Sequence, residues 1–351
     1  MAAREAESRA AGTAVVGGGI VGASVARALA RRGEPVTILE AERPGHGSAS
    51  SKGDARIRVL AAYPDDEYLR LGLAADDLWR ELERESGRRI LHPTGAISYG
   101  SLAERLAGAL AEHGVEHELM TPGRAAELAP AVRLPDHVDQ VLWQPDGATI
   151  AAEAGLAAML GAASTRGVRL STGRMVERVG QDDGRVILRL PDRELEFGRA
   201  VVVAGAWTAS LLGWDELRGL EPTAQTVSYF RYEGTPPPAL IDYDGAEPYS
   251  GWTPGFGLKS ADHEFGPVIE PGRLPDPDPA RVEATAAWVA ERLGVTEAPA
   301  ISETCVYTNT PDERILIERK GAITAVSACN GQGFQLAPAV GEMVAEQVLA
   351  D

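Results

Sequence analysis

Apolar positions along the chain follow two rhythms, one of strands and one of helices. Thr13–Val16 (TAVV) is a short apolar run; GGGIVG follows, and then Val21, Val25, Ala28 and Leu29 recur with helical period up to Gly33. PVTILE is a β-branched run that ends on Glu40. The spacing predicts a helix over 66–87, with Tyr68, Leu71, Leu73, Leu78 and Trp79 on its apolar face, and further helices over 101–113 and 151–163. Strands are expected at GAISYG (95–100), as a pair either side of Gly184 (MVERV and VILRL), and at RAVVVAG (199–205). β structure with turns is expected over 225–270 and a helix over 281–294. Two late strands, ILIE and AITAVSA, precede a closing helix through Ala339, Val340, Met343, Val344 and Val348. The buried strand at 199–205, returning late and ending on glycine, predicts a second contribution to the sheet that the first forty residues begin. The pattern is that of an α/β chain.

The opening strand, glycine-rich turn, helix, strand and acid make a dinucleotide-binding unit. Gly17 allows the tight turn, Gly19 lets backbone approach a pyrophosphate at the helix N-terminus beside Ile20 and Val21, and Gly22 lets helix and strand pack. Glu40 is placed to accept hydrogen bonds from a ribose. The motif alone leaves FAD and NAD both open. The next stretch, ERPGHGSASSKGDARI, is a long loop of small residues without the third strand of a nicotinamide domain. Ser50 and Ser51 are candidate phosphate ligands there, and Arg56 follows in an apolar context.

With 351 residues, the chain is long enough for about two domains. A net charge of −17 argues against nucleic acid or an anionic membrane as partner. No apolar run reaches the roughly 20 residues of a membrane helix, and residues 1–12 read as a polar tail without a secretory core. Two cysteines, Cys305 and Cys329, are too few for a disulfide framework, which points to the cytoplasm. Six scattered histidines give no metal cluster. Lys52, Lys259 and Lys320 are the only lysines, which draws attention to Lys259 in its Gly-rich, apolar setting.

Six segments, in order, resemble the flavoprotein amine oxidases of the monomeric sarcosine oxidase and N-methyltryptophan oxidase type. They are GGGIVGASVARALARRG with VTILE, GDARI, GAWTASLL, GLKSADH, TCVYTNTPDERILIE and NGQGFQLAPAVGEMVAEQV. The resemblance implies a two-domain α/β flavoprotein. A discontinuous Rossmann-like FAD-binding domain would span 13–90, 150–220 and 300–351. A mixed β-sheet substrate domain would take 91–149 and 221–299. It implies FAD held by the N-terminal motif together with Val176, Gly205, Trp207, Gly331, Gly333, Phe334 and Gln335, and joined covalently through Cys305. The residues alone also admit Cys305 as a small buried apolar side chain; Cys329 has no motif match and is read as structural.

The same resemblance places Lys259 beside the flavin, where its charge would stabilise the superoxide formed as O₂ is reduced. His263 and Tyr249 would orient the amine or tune its pKa, and Arg56 would balance charge on the reduced ring. The relatives that oxidise N-methyl amino acids bind the carboxylate with an arginine and a lysine at the positions held here by Val59 and Gln335. Valine cannot replace a bidentate arginine. Either Arg58 or Lys52 has taken over, or the substrate lacks that carboxylate. Trp252 is expected to form an aromatic wall for a larger or cyclic amine. The expected function is oxidation of a C–N bond in a secondary or cyclic amine or amino-acid derivative, not sarcosine itself, giving an imine and hydrogen peroxide. The alternatives are an amine dehydrogenase of the same fold and a non-catalytic flavin-binding subunit. The expected partners are a small amine and O₂, in a monomer or small homo-oligomer.

Overall fold

The computed structural model describes residues 12–50, 52–53, 55–328 and 331–350. Its first sheet has six strands in the order Leu316–Lys320, Ile323–Ser327, Arg199–Val202, Thr13–Val16, Val36–Leu39, Arg169–Ser171. All are parallel except the edge strand Leu316–Lys320. Thr13 pairs with Arg199 on one side and Val36 on the other, so the late apolar run lies directly beside the first strand. The third strand absent after Glu40 is supplied by Arg169–Ser171, far along the chain.

Alternation decides what each face of this sheet buries. Val15, Val201 and Ile38 face a core built with the helices Ile20–Arg31, Asp66–Ser86, Ala152–Thr165 and Gly333–Leu349. Ala14, Val16, Ala200 and Val202 face a second core, closed by a three-stranded antiparallel sheet of Arg178–Asp182, Arg185–Arg189 and Glu194–Phe197. The hairpin around Gly184 is therefore the cover of one face of this first sheet. Its first strand starts at Arg178, later than MVERV suggests, and leaves Val176 just outside it.

The second large sheet has eight strands, in the order Ile301–Asn309, Glu221–Arg231, Gly257–Ala261, Tyr249–Thr253, Ala239–Asp242, Ala96–Tyr99, Val141–Gln144, Glu118–Met120. It is mixed, with one parallel pairing between Ala239–Asp242 and Ala96–Tyr99. Ile301–Asn309, expected with the first sheet's domain, pairs in this one. Its ladder with Glu221–Arg231 runs from Glu221↔Asn309 to Tyr229↔Ile301, and that pairing fixes its place. A small sheet of Arg56–Arg58, Ala148–Ile150 and Leu91–Pro93 lies alongside both. The closing helix begins at Gly333, six residues before Ala339, and carries Pro338 inside it. Burial of Phe334, Leu336 and Ala337 holds that first stretch helical despite the proline. Among the described residues no helix is long and apolar enough to cross a membrane.

Candidate active site

A cavity of about 630 Å³ opens at the carboxyl ends of the parallel strands, where α/β sheets bind their ligands. Gly17, with φ 113°, forms its floor, and a Cβ there would lie 2.5 Å from the Val203 carbonyl oxygen. Gly22 does not line the cavity. A Cβ on it would meet the Gly17 oxygen at 2.0 Å, so its bare backbone seats the helix against the turn. Gly19 is the N-cap of Ile20–Arg31 and brings no side chain of its own over the helix N-terminus, whose dipole favours an anion. Glu40 accepts hydrogen bonds from Gly18 N–H (2.7 Å, Oε2) and Glu42 N–H (3.0 Å, Oε1). A carboxylate accepts up to about four such bonds, so Glu40 can hold the turn and still receive a ribose hydroxyl.

Ile20, Val21, Ser50, Val176, Gly205 and Trp207 line this part of the cavity. His46 stands 6.2 Å from the Trp207 ring, centroid to centroid. The long cavity, its glycine floor, uncapped helix end and apolar walls fit an FAD. Ser51 lies outside the described residues, as does Cys329.

At the other end the cavity is lined by Arg56, Tyr249, Lys259, Cys305, Gly331, Gly333 and Phe334. Lys259 sits in the middle of Gly257–Ala261 and is only 7% exposed. Its Nζ donates to the Ala55 carbonyl at 3.1 Å. Arg56 donates to that same carbonyl (2.8 Å) and to those of Ser50 (2.9 Å) and Lys52 (2.7 Å), with its guanidinium 5.4 Å from the centre of the Phe334 ring. One carbonyl thus holds two cations together, and the residue carrying it, Ala55, has φ 60°, an unfavourable region for a side chain with Cβ.

A smaller cavity of about 80 Å³ shares Arg56, Tyr249, Lys259, Gly331 and Phe334 with the large one. Val59, His263 and Gln335 also line it. Val59 N–H donates to Gln335 Oε1 (3.2 Å), and the Trp79 indole donates to the Gln335 carbonyl (2.8 Å), so the first turn of the closing helix is pinned against the wall. His263 stacks on Tyr249 at 4.8 Å, and Tyr307 Oη lies 3.4 Å from His263 Nδ1. Burial pushes the His263 pKa down to about 4, so its imidazole is neutral near pH 7. Burial likewise raises the Tyr249 phenol to about 12 and holds that of Tyr307 well above its ordinary value. Both stay protonated donors.

The structure places three expected residues elsewhere. Trp252 lines neither cavity. Strand alternation turns Tyr249 and Gly251 inward and Trp252 to the opposite face, where it meets His92 edge-on at 5.5 Å. Arg58, 3% exposed, pairs with Asp76 at 3.0 Å and donates to the Asp146 carbonyl. Lys52 donates to the Thr304 carbonyl (2.6 Å) and lies 3.7 Å from Glu303. Neither cation lines either of these two cavities. Several lining residues went unread in the sequence: Tyr307, Tyr63, Tyr243, Ile241 and Glu247. Tyr307 had a signal. It is two residues after Cys305 on one strand, hence on the same face. Among the described residues no group of His, Cys, Asp and Glu is arranged to hold a metal ion.

Comparison with known proteins matches the family described as FAD dependent oxidoreductase (DAO) over residues 13–347. The monomeric sarcosine oxidase of Bacillus sp. (strain NS-129) is 26% identical over 357 residues, covering 95% of this chain and 91% of that protein. Among solved structures, NikD, an amino acid oxidase of nikkomycin biosynthesis, superposes with a TM-score of 0.84 at 23% identity, covering 97% of this chain and 94% of its own. The L-proline dehydrogenase of P. horikoshii gives 0.86 at 23% identity, with the same coverage.

Proposed function

The chain belongs to the FAD-dependent oxidoreductase family, and from that premise we propose that it oxidises a C–N bond in a secondary or cyclic amine or amino-acid derivative, with O₂ as electron acceptor. FAD, when bound, would supply the two-electron redox chemistry between the amine and O₂, and the products of this reading are an imine and hydrogen peroxide. Gly17, Gly19 and Glu40 hold the dinucleotide, Arg56 lies at the reacting end, and Cys305 is the point of covalent attachment.

The observation that carries this reading is Lys259. Its buried ammonium lies in the wall common to both cavities, beside Arg56, and donates to the Ala55 carbonyl. A fixed cation in such a water-poor place favours negative charge developing on oxygen. The same two cations disfavour a third, so an amine entering beside them is held neutral, with the lone pair that oxidation requires. Tyr249 and Tyr307 offer phenol donors, and neutral His263 supplies an acceptor that does not compete as a cation. Val59 and Gln335 present a methyl-bearing surface and a carboxamide, neither charged. Sarcosine is therefore a poor substrate in this reading.

The test is anaerobic mixing of yellow holoprotein with a panel of secondary amines, cyclic amines and imino acids. Bleaching of the flavin by at least one of them, with peroxide formed when air is admitted, is the expected result. A flavin that no amine bleaches would sink the proposal.

A further inference from the structure

The small cavity has two chemically different ends. Arg56, Tyr249 and Lys259 line it where it joins the cofactor cavity. Glu247, Tyr63, Tyr243 and Ile241 line it alone. Its charges therefore run from cationic, beside the reacting position, to anionic at Glu247.

Glu247 lies in the turn before Tyr249–Thr253, half-buried, with φ 51°. Its backbone N–H donates to Asp244 O (3.2 Å), and the carbonyl just before it, of Ala246, accepts from His263 N–H (3.1 Å). These bonds tie the turn to the residue that stacks on Tyr249. Burial raises the Glu247 carboxyl above the usual range, and the neighbouring carboxylates of Glu313 and Asp242 raise it further. A substrate carboxylate brought here would meet like charge. A positive group would relieve it.

The other lining groups agree. The Tyr243 hydroxyl is already spent on the Ala62 carbonyl (2.7 Å), so what Tyr243 offers a ligand is its ring. Tyr63 brings a second ring, and aromatic faces attract cations. Ile57, Val59, Ala62 and Ile241 supply an apolar passage between the two ends.

We propose that Glu247 reads the far end of the substrate, and that the amine oxidised here carries a second nitrogen, an ammonium group joined to the reacting secondary amine by a short aliphatic chain. This rests on the amine-oxidase reading above and narrows it from amines in general to diamines. The two charges also set the direction of binding. The ammonium is repelled from Arg56 and Lys259 and drawn to Glu247, which leaves the neutral secondary nitrogen at the cofactor end.

Three probes of similar length test it on the holoprotein. N-methyl diaminopropane ends in an ammonium, N-methylbutylamine is its uncharged isostere, and N-methyl-β-alanine ends in a carboxylate. Binding is read from perturbation of the flavin spectrum, and oxidation from anaerobic bleaching. The diamine should bind about tenfold or more tightly than the isostere, a factor expected of a charge-assisted hydrogen bond, and the carboxylate should bind weakest. In Glu247→Gln the ratio of diamine to isostere affinity should fall by about the same factor. Glu247→Arg should turn the preference towards the carboxylate probe, and gives a second readout should the first variant fold poorly. An unchanged ratio in both variants, or a wild-type preference for the carboxylate, overturns the proposal even if all three probes bleach. Glu247-dependent diamine binding without bleaching by any probe would instead overturn the amine-oxidase reading and leave this specificity standing.

Discussion

The two ends of the combined cavity are built by different means. At the nucleotide end the shape comes largely from backbone: the Gly17 floor, the open Gly19 cap, the Gly22 contact and a single carboxylate, Glu40, that ties the turn together. All of it lies within one stretch of 24 residues, 17–40. At the substrate end the surface is side chain, brought in by Arg56–Arg58 and the loop after it, the turn before Tyr249–Thr253, Gly257–Ala261, Ile301–Asn309 and the first turn of Gly333–Leu349. A backbone-built site tolerates little change and serves one ligand. A side-chain-built chamber can change its ligand one residue at a time, and Val59 and Gln335 are side chains of that kind.

That contrast breaks most visibly at Arg58, one residue from the chamber but turned into the frame. Arg58→Ala leaves the buried Asp76 carboxylate to Arg80 alone and should cost about 3 kcal/mol of stability, the low end for breaking a buried pair, measured by urea unfolding. Unchanged stability with lost substrate affinity would return Arg58 to the chamber.

His263 gives the next largest effect, and a sign. Its folded pKa of about 4 lies below the ordinary 6.5, so the unfolded chain takes up the proton first as pH falls. The stability this histidine contributes is complete above pH 6.5 and is lost as pH falls towards and through 4. At about 1.36 kcal/mol per pKa unit, the loss amounts to roughly 3 kcal/mol. His263→Gln should flatten this part of the acid limb, seen by comparing urea unfolding of both proteins at neutral and acid pH. Parallel limbs would mean the imidazole is not held neutral by burial.

Glu40→Gln puts an amide group where one of two backbone N–H donors now finds a carboxylate oxygen. The unmet donor should cost about 1–3 kcal/mol, read as a lower melting temperature of the holoprotein. No change would show that the turn holds itself. Cys305→Ala should have the smallest effect on folding but a clear chemical one. Acid precipitation should leave wild-type flavin in the pellet and release that of the variant. Free release from wild type would remove the covalent link.

The same contrast explains what was legible in the amino-acid order. The nucleotide end could be read because its geometry follows from glycine spacing within one strand–turn–helix unit. The late strand at 199–205 could be read because an all-apolar run needs a buried place in a sheet. Trp252 was misplaced although period-2 alternation from Tyr249 already sends it to the opposite face. The first turn of the closing helix is the harder part to read, since Gly333 and Pro338 look locally like breakers and only tertiary burial overrides them. Glu247 left no local trace, since it sits in a turn and reaches the chamber only through how the strands around it pair. Ile301–Asn309 read as part of the nucleotide domain because nothing local announces which sheet an isolated strand will join.

Stopped-flow measurement of the two half-reactions in Lys259→Met isolates the proposed role of Lys259, making O₂ the electron acceptor, from oxidation of the amine. Methionine keeps the length and apolar bulk of the side chain and removes its charge. Anaerobic bleaching by the amine should stay within about an order of magnitude of wild type, while reoxidation by O₂ slows about 10²–10³-fold, the usual cost of losing one preorganised electrostatic group. Reoxidation at the wild-type rate would contradict the account and take Lys259 out of the oxygen reaction.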